Sequence, residues 1–195
     1  MFQITLLDHI RLSFGGVIHA YKAHNAIAER LTRRLWQLRI GELLLLGGAL
    51  AAAVTAAYRG DMRYAVASAV LSGAALALFT LYVAINMEAR IYAHRWCASR
   101  LWLIRERYLA LLSEMRDGVL SPEGVRERRD QLLAEQHAID DHAPLIDRPT
   151  LQTARQALAG AAEAAFTDAE IDTFLPQSLR KEAFEGHVAS QPTRH

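Results

Sequence analysis

The chain has 195 residues and a formal charge of only +1, from 22 Lys and Arg against 21 Asp and Glu. That balance excludes the broad basic field of a nucleic-acid-binding surface, so no direct nucleic-acid partner is expected. The single cysteine, Cys97, excludes an intramolecular disulfide framework and a multi-cysteine metal site.

Apolar residues make up 52% of the chain and the mean hydropathy is +0.05, an average that hides an apolar middle between polar flanks. Residues 1–39 read as an N-terminal helix after a few residues, with Gly15-Gly16 as a turn or kink because two adjacent glycines weaken a helix interior. From Val17 onward the segment contains no Pro or Gly and runs on toward an apolar stretch, with Trp36 where an interfacial aromatic would anchor it. His19 and His24 face about 140° apart on a helix, which argues against metal ligation by that pair.

Two apolar runs follow. Residues 40–58 read IGELLLLGGALAAAVTAAY with one charge, Glu42, and residues 64–87 read YAVASAVLSGAALALFTLYVAINM with none. At 1.5 Å per residue they reach roughly 28 and 36 Å, enough to cross a hydrocarbon core of about 30 Å. Their seven and nine Leu, Ile, Val and Phe residues favour insertion by roughly 2–4 and 3–5 kcal/mol. A cleaved signal sequence does not fit, because eight charged residues precede the first run. The expected fold is therefore all-α: a two-helix transmembrane hairpin whose helices extend into a helical or coiled-coil cytoplasmic region. Arginines flank the hairpin at 30, 33, 34, 39, 90, 95, 100, 105 and 107, whereas the loop of residues 59–63 holds only Arg59 and Arg63 against Asp61. Both termini are accordingly expected in the cytoplasm.

Small residues recur every fourth position: Ala49, Ala53 and Ala57 in the first run, and Ala65, Ala69, Gly73 and Ala77 in the second. Such stripes let helix backbones approach closely in lipid. Ser68, Ser72 and Asn86 fall within about 40° of one another on the second helix. With Glu42 they are the candidate pore lining, although hydroxyls that bond back to their own helix explain the serines as well.

Residues 88–179 form the cytoplasmic helical region. His94, Cys97, Leu101, Ile104, Tyr108, Leu111 and Met115 are spaced 3,4,3,4,3,4, the pattern of a coiled-coil seam between copies. The same pattern describes one apolar face packed on neighbouring helices of the same chain. Gly118 ends this helix, and Ser121-Pro122-Glu123 opens another that runs to Pro144 with Val125, Leu132 and Ile139 seven apart. Pro149 begins a third, with an alanine-rich seam through Leu151, Ala154, Leu158, Ala161 and Ala165. Thr167-Asp168-Ala169-Glu170 is a capping box for a short helix stopped by Pro176, and residues 180–195 read as a flexible tail.

No phosphate-binding, zinc-protease or nucleophile-elbow motif occurs. Asp140-Asp141-His142 point about 100° apart in succession and do not converge as a metal site, and Arg128-Arg129-Asp130 fits a salt-bridged helix surface. Neither an enzyme nor a cofactor is expected.

The order of parts resembles the SLATT family, two-transmembrane effectors associated with nucleotidyltransferase and nucleotide-sensing modules. The resemblance rests on DHIRLSFGGVIHAYKAHNAIAERL before the spans, LWLIRERYLALLSEMRDGVLSPEGVRERRDQLL after them and FTDAEIDTFLPQSL near the end. It implies a bacterial conflict or anti-phage system in which a cytoplasmic signal drives the module to oligomerise and permeabilise the inner membrane. This chain carries no fused sensor or nucleotidyltransferase domain, so the resemblance implies a separate partner: a nucleotide-signal generator, a sensor or a reverse-transcriptase-type protein. The rival expectation is a membrane-anchored scaffold that recruits a cytoplasmic partner without conducting.

Overall fold

The computed structural model describes residues 5–144 and 167–190, and among them every regular element is helical. In order these are α1 (Leu6–Arg59), α2 (Met62–Ala84), α3 (Met87–Arg116), α4 (Pro122–Asp140), α5 (Asp168–Thr173), a 3-10 turn at Gln177–Leu179, and α6 (Lys181–Ser190). The chain divides into two compact bodies, residues 26–93 and the remainder. The expected helix from Pro149 lies outside the described residues.

In the larger body, helix α1 passes through Gly15-Gly16 without the turn its glycines suggested. Glycine costs about 1 kcal/mol in a helix interior. Here Ile10, Phe14, Val17 and Ile18 are all buried along the same face, and that burial outweighs the propensity. They join Leu101, Ile104, Tyr108, Leu111 and Leu112 of α3, and Val125, Leu132 and Ile139 of α4, in one core.

This core corrects one expectation. Cys97, Leu101, Ile104, Tyr108 and Leu111 are buried within the chain, with Met115 packed at the edge, so the seam is not a coiled-coil interface between copies. The periodicity was real, but α1 and α4 cover it from inside.

Local signals explain the α3–α4 turn. Gly118 takes φ = 65°, a conformation that favours glycine, and the Val119 and Gly118 amides close back on the carbonyls of Glu114 and Met115. Ser121 then caps α4, its Oγ accepting from the Gly124 amide at 3.2 Å, with Pro122 in the first turn. Ion pairs Arg107–Glu135 and Arg128–Glu114 link the outer edges of the two helices.

The C-terminal elements dock on α1 through a buried cation. Arg11 is 1% exposed; its guanidinium donates to Asp172 at 2.6 Å and to the Leu179 carbonyl at 3.2 Å, with Asp168 at 3.6 Å. Asp172 also accepts from the Lys181 amide, and the Lys181 ammonium bridges Asp8 and Asp168. Around these charges Ile171, Leu175, Leu179 and Phe184 enter the core. The expected flexible tail is therefore corrected over Lys181–Ser190, which is helical. Phe184 anchors it, and a single buried aromatic in a polar stretch carries no periodic signal.

Removing one partner of a fully buried ion pair costs about 3–5 kcal/mol. Arg11→Met should destabilise the larger body by somewhat less, at least about 2 kcal/mol, because Asp172 keeps some contact with water. Asp172→Asn, which retains an acceptor, should cost less. Thermal melting of the full chain in detergent measures both, and tryptic cleavage after Arg180 or Lys181 should accelerate in the same order.

Candidate functional site

Residues 26–93 contain the hairpin. Helix α1 ends at Arg59 and α2 starts at Met62, so Gly60 and Asp61 alone link them, fewer residues than the five between the apolar runs. Gly60 takes φ = 65°, and the Asp61 carboxylate caps α2 by accepting from the Arg63 amide at 2.9 Å.

On α2 the buried or half-buried positions are Tyr64, Ser68, Leu71, Ala75, Leu78 and Tyr82, spaced 4,3,4,3,4. On α1 they include Leu38, Glu42, Leu45, Ala49, Ala52 and Ala56 in the same rhythm. Antiparallel helices with such seams pack by interdigitation. The fit here sets large against small: a Cβ on Gly48 would lie 3.4 Å from Leu71 Cδ1, and one on Gly41 3.7 Å from Leu78 Cδ2. Ala75, 2% exposed, is the most deeply buried residue of α2.

Of the seven small residues expected to pack the helices, only Ala49 lies in this seam. Ala53, Ala57, Ala65, Ala69, Gly73 and Ala77 all face outward, and a Cβ on Gly73 would meet nothing within 4 Å. Small-residue spacing identified a face, but the hairpin closes on the neighbouring face, where Leu71 and Leu78 find glycines.

The four candidate pore residues are dispersed. Glu42 lies in the seam, where its carboxylate accepts from the Tyr82 hydroxyl at 2.9 Å. Ser68 is also in the seam, and Ser72 is exposed beside Gly73. Asn86 leaves the helix altogether: α2 ends at Ala84, and Asn86 takes φ = 52° before α3 begins. Asparagine tolerates this left-handed conformation, which shifts it out of phase with the serines. Helical-wheel reasoning grouped the three residues by assuming an unbroken helix.

Tyr82 is the functional partner that sequence reasoning missed. A carboxylate in an apolar run needs a donor at the same depth. In an antiparallel hairpin Glu42, 18 positions before Gly60, lies level with Leu78, and Tyr82 stands one helical turn further along the same face, within reach of its long side chain. Nearer the ends of the spans Arg39 pairs with Glu88. Between the ends of the spans the outer surface is largely apolar: Leu43, Leu44, Leu50, Val54, Val66, Val70, Leu76 and Val83 are all more than half exposed. So much contiguous apolar area on a soluble monomer is unusual, and hydrocarbon is the medium that suits it.

A model of the SMODS and SLOG-associating 2TM effector domain family 4 matches residues 6–170. The chain belongs to this family. No curated protein and no solved structure matches it. Membership in the 2TM effector family agrees with the two long apolar helices and makes the chain a membrane-associated effector of conflict systems. The family is one of effectors rather than a known class of enzymes.

A second polar cluster of this effector lies in the larger body. His24 of α1 and His94 of α3 are both buried, their Nδ1 atoms 2.9 Å apart and their ring centroids 5.1 Å apart. One ring donates and the other accepts. Burial, then the neighbouring His94, lowers the His24 pKa from 6.5 to about 4. Burial, then Asp140, pushes the adjacent Cys97 thiol up, so it behaves as a small hydrophobe. Among the described residues no three His, Cys, Asp or Glu side chains converge as metal ligands. Seventy residues separate the histidines, and no local pattern reports their pairing.

Two outcomes test this geometry. Overpacking a filled seam costs about 1–3 kcal/mol, so Ala75→Leu should destabilise the hairpin while Gly73→Leu leaves the monomer unchanged, as read by thermal unfolding of detergent-solubilised monomer. For the histidines, a folded pKa below the unfolded one means that the unfolded chain binds the extra proton. Stability should therefore be intact above pH 6.5 and lost as pH falls from 6.5 toward about 4. His24→Gln, which preserves a hydrogen-bonding group without titrating, should flatten the melting-temperature profile between about pH 7 and 5, where ordinary carboxylates contribute little.

Proposed function

We propose that the chain is an inner-membrane effector that assembles into a homo-oligomer through its hairpin and permeabilises the membrane when a cytoplasmic signal or partner triggers it. The observation that carries this reading is the outward face of α2, where Ala65, Ala69, Gly73 and Ala77 lie exposed with Ser72 beside them. Two spans cannot enclose a channel, so conduction requires several copies, and small residues permit the close helix approach that association in lipid needs. Ser72 would then stand next to the helix–helix contact, where a mildly polar side chain can border a water path. Ser68, Glu42 and Asn86 play other parts: the first two belong to the closed seam, and Asn86 turns the chain into α3. The arginines before α1 enters its apolar run support cytoplasmic termini. A separate signal-generating, sensing or reverse-transcriptase-type protein supplies the trigger in this reading.

The test is membrane depolarisation in cells, with protein level and oligomer size measured together. Ser72→Leu should still insert and assemble but conduct far less, since an apolar constriction dewets. Gly73→Leu should lose the oligomer, and conduction with it, while the hairpin stays folded. A triggered, assembled wild type that leaks no more than an empty membrane would refute the pore and leave the non-conducting scaffold in its place.

A further inference from the structure

Three arginines on α1 are left over by every contact in their body. Arg30, Arg33 and Arg34 are exposed, and among the described residues none of them makes an ion pair or hydrogen bond. Their neighbour Arg39 is different, being paired with Glu88. Glu29 is the single acid between residues 26 and 41, and it forms no ion pair with Arg33 one turn away. The three guanidiniums share about 100° of helix surface, while Leu31 and Leu35 turn inward. The stretch therefore presents a cluster of unneutralised cations on one face of a helix that is about to become apolar.

Position gives the cluster its meaning. Arg34 and Arg30 precede Ile40 by six and ten residues, roughly 9 and 15 Å along the axis. The headgroup layer of one leaflet is about 5–8 Å thick, and arginine side chains snorkel several ångströms toward it. Trp36 lies between them and the apolar run, 66% exposed, at the depth where indoles settle. On α3, Arg90 and Tyr92 repeat the pairing of an exposed cation with an exposed aromatic, Tyr92 being 72% exposed. Along α1 the paired Arg39 lies next to the apolar run and the unpaired Arg30, Arg33 and Arg34 further out, the order expected where phosphates supply the missing anions.

We propose that Arg30, Arg33 and Arg34 form a binding site for anionic phospholipid headgroups, flanked by Trp36 at the acyl boundary. Guanidinium groups bind phosphate oxygens in pairs, and the cluster holds these oxygens on the side of the helix that its own chain leaves open. The site is thus a second determinant of membrane behaviour, beyond the arginine count that orients the spans. It rests on the hairpin being membrane-embedded, and the experiment separates the two claims.

Trp36 supplies the probe. In full-length protein carrying Trp96→Phe and Trp102→Phe, Trp36 is the sole indole. The protein is reconstituted into phosphatidylcholine vesicles containing either brominated phosphatidylglycerol or brominated phosphatidylcholine, and quenching of Trp36 is compared. A cation near an anionic surface favours it by about fivefold. Quenching should therefore show a preference of several-fold or more for the anionic lipid, and Arg30→Gln/Arg33→Gln/Arg34→Gln should bring it close to parity. The corresponding triple Lys variant should keep most of the preference, showing that loss in the Gln variant reflects charge rather than misfolding. Equal quenching by the two lipids in the parent, or an undiminished preference in the Gln variant, overturns the proposal. Inorganic phosphate that abolishes the preference when chloride of matched ionic strength does not would also overturn it, assigning the arginines to a soluble anion. Absence of quenching by either lipid would remove the embedded hairpin itself.

Discussion

Apolar residues on α3 recur at every third or fourth position from Cys97 to Met115, and a helix with such a seam must have it covered. The chain meets this requirement internally. The first turns of α1 lie against the seam from one side, α4 from another, and Ile171, Leu175, Leu179 and Phe184 complete the core. Everything else follows from this occupancy. Arg11 becomes a buried cation because the C-terminal elements enclose it, and the His24–His94 contact exists because α1 and α3 are held side by side. Since the seam is taken within the chain, it offers no face to a second copy. Among the described residues, the outside of the hairpin carries a long run of uncovered apolar surface.

The hairpin presents two contrasting faces in one short stretch. Its inner seam relies on complementary size, with Leu71 over Gly48 and Leu78 over Gly41. Its outer face is lined by Ala65, Ala69 and Gly73 with nothing against Gly73. The seam is sealed at one end by the Glu42–Tyr82 hydrogen bond, beside which Arg39 and Glu88 neutralise each other. At this end of the hairpin the carboxylates of Glu42 and Glu88 both have partners, in keeping with the high cost of an unpaired ion near hydrocarbon.

What the amino-acid sequence made legible was local. Gly118 as a helix stop, Ser121-Pro122 as a start and Thr167 as a cap depend on neighbouring residues, and all three occur as expected. The two apolar runs were legible because their composition alone separates them from the flanks. Ownership of a face was not legible. Periodicity shows that Leu101 and Ile104 share a side, but the spacing is the same whether a second copy or α1 lies against it. The left-handed turn at Asn86 escaped because no glycine or proline marks it, and its loss of phase undid the grouping with Ser68 and Ser72. Helix α6 escaped for the opposite reason: one buried phenylalanine in a polar segment gives no period to read.

The two-residue link at Gly60-Asp61 constrains how the protein enters a membrane. Spans joined so tightly have to turn back at once, so neither can sit in the bilayer far from the other. Whichever side the link takes, the other ends of both spans share the opposite side, and Arg59, Asp61 and Arg63 stay together at the end where the two helices turn. Asp61 offsets one of the two arginines there and, by capping α2 through the Arg63 amide, lets the second helix start directly after the turn. The Leu71–Gly48 contact thus forms between helices that their own link keeps side by side, at an effective concentration no pair of separate spans could reach.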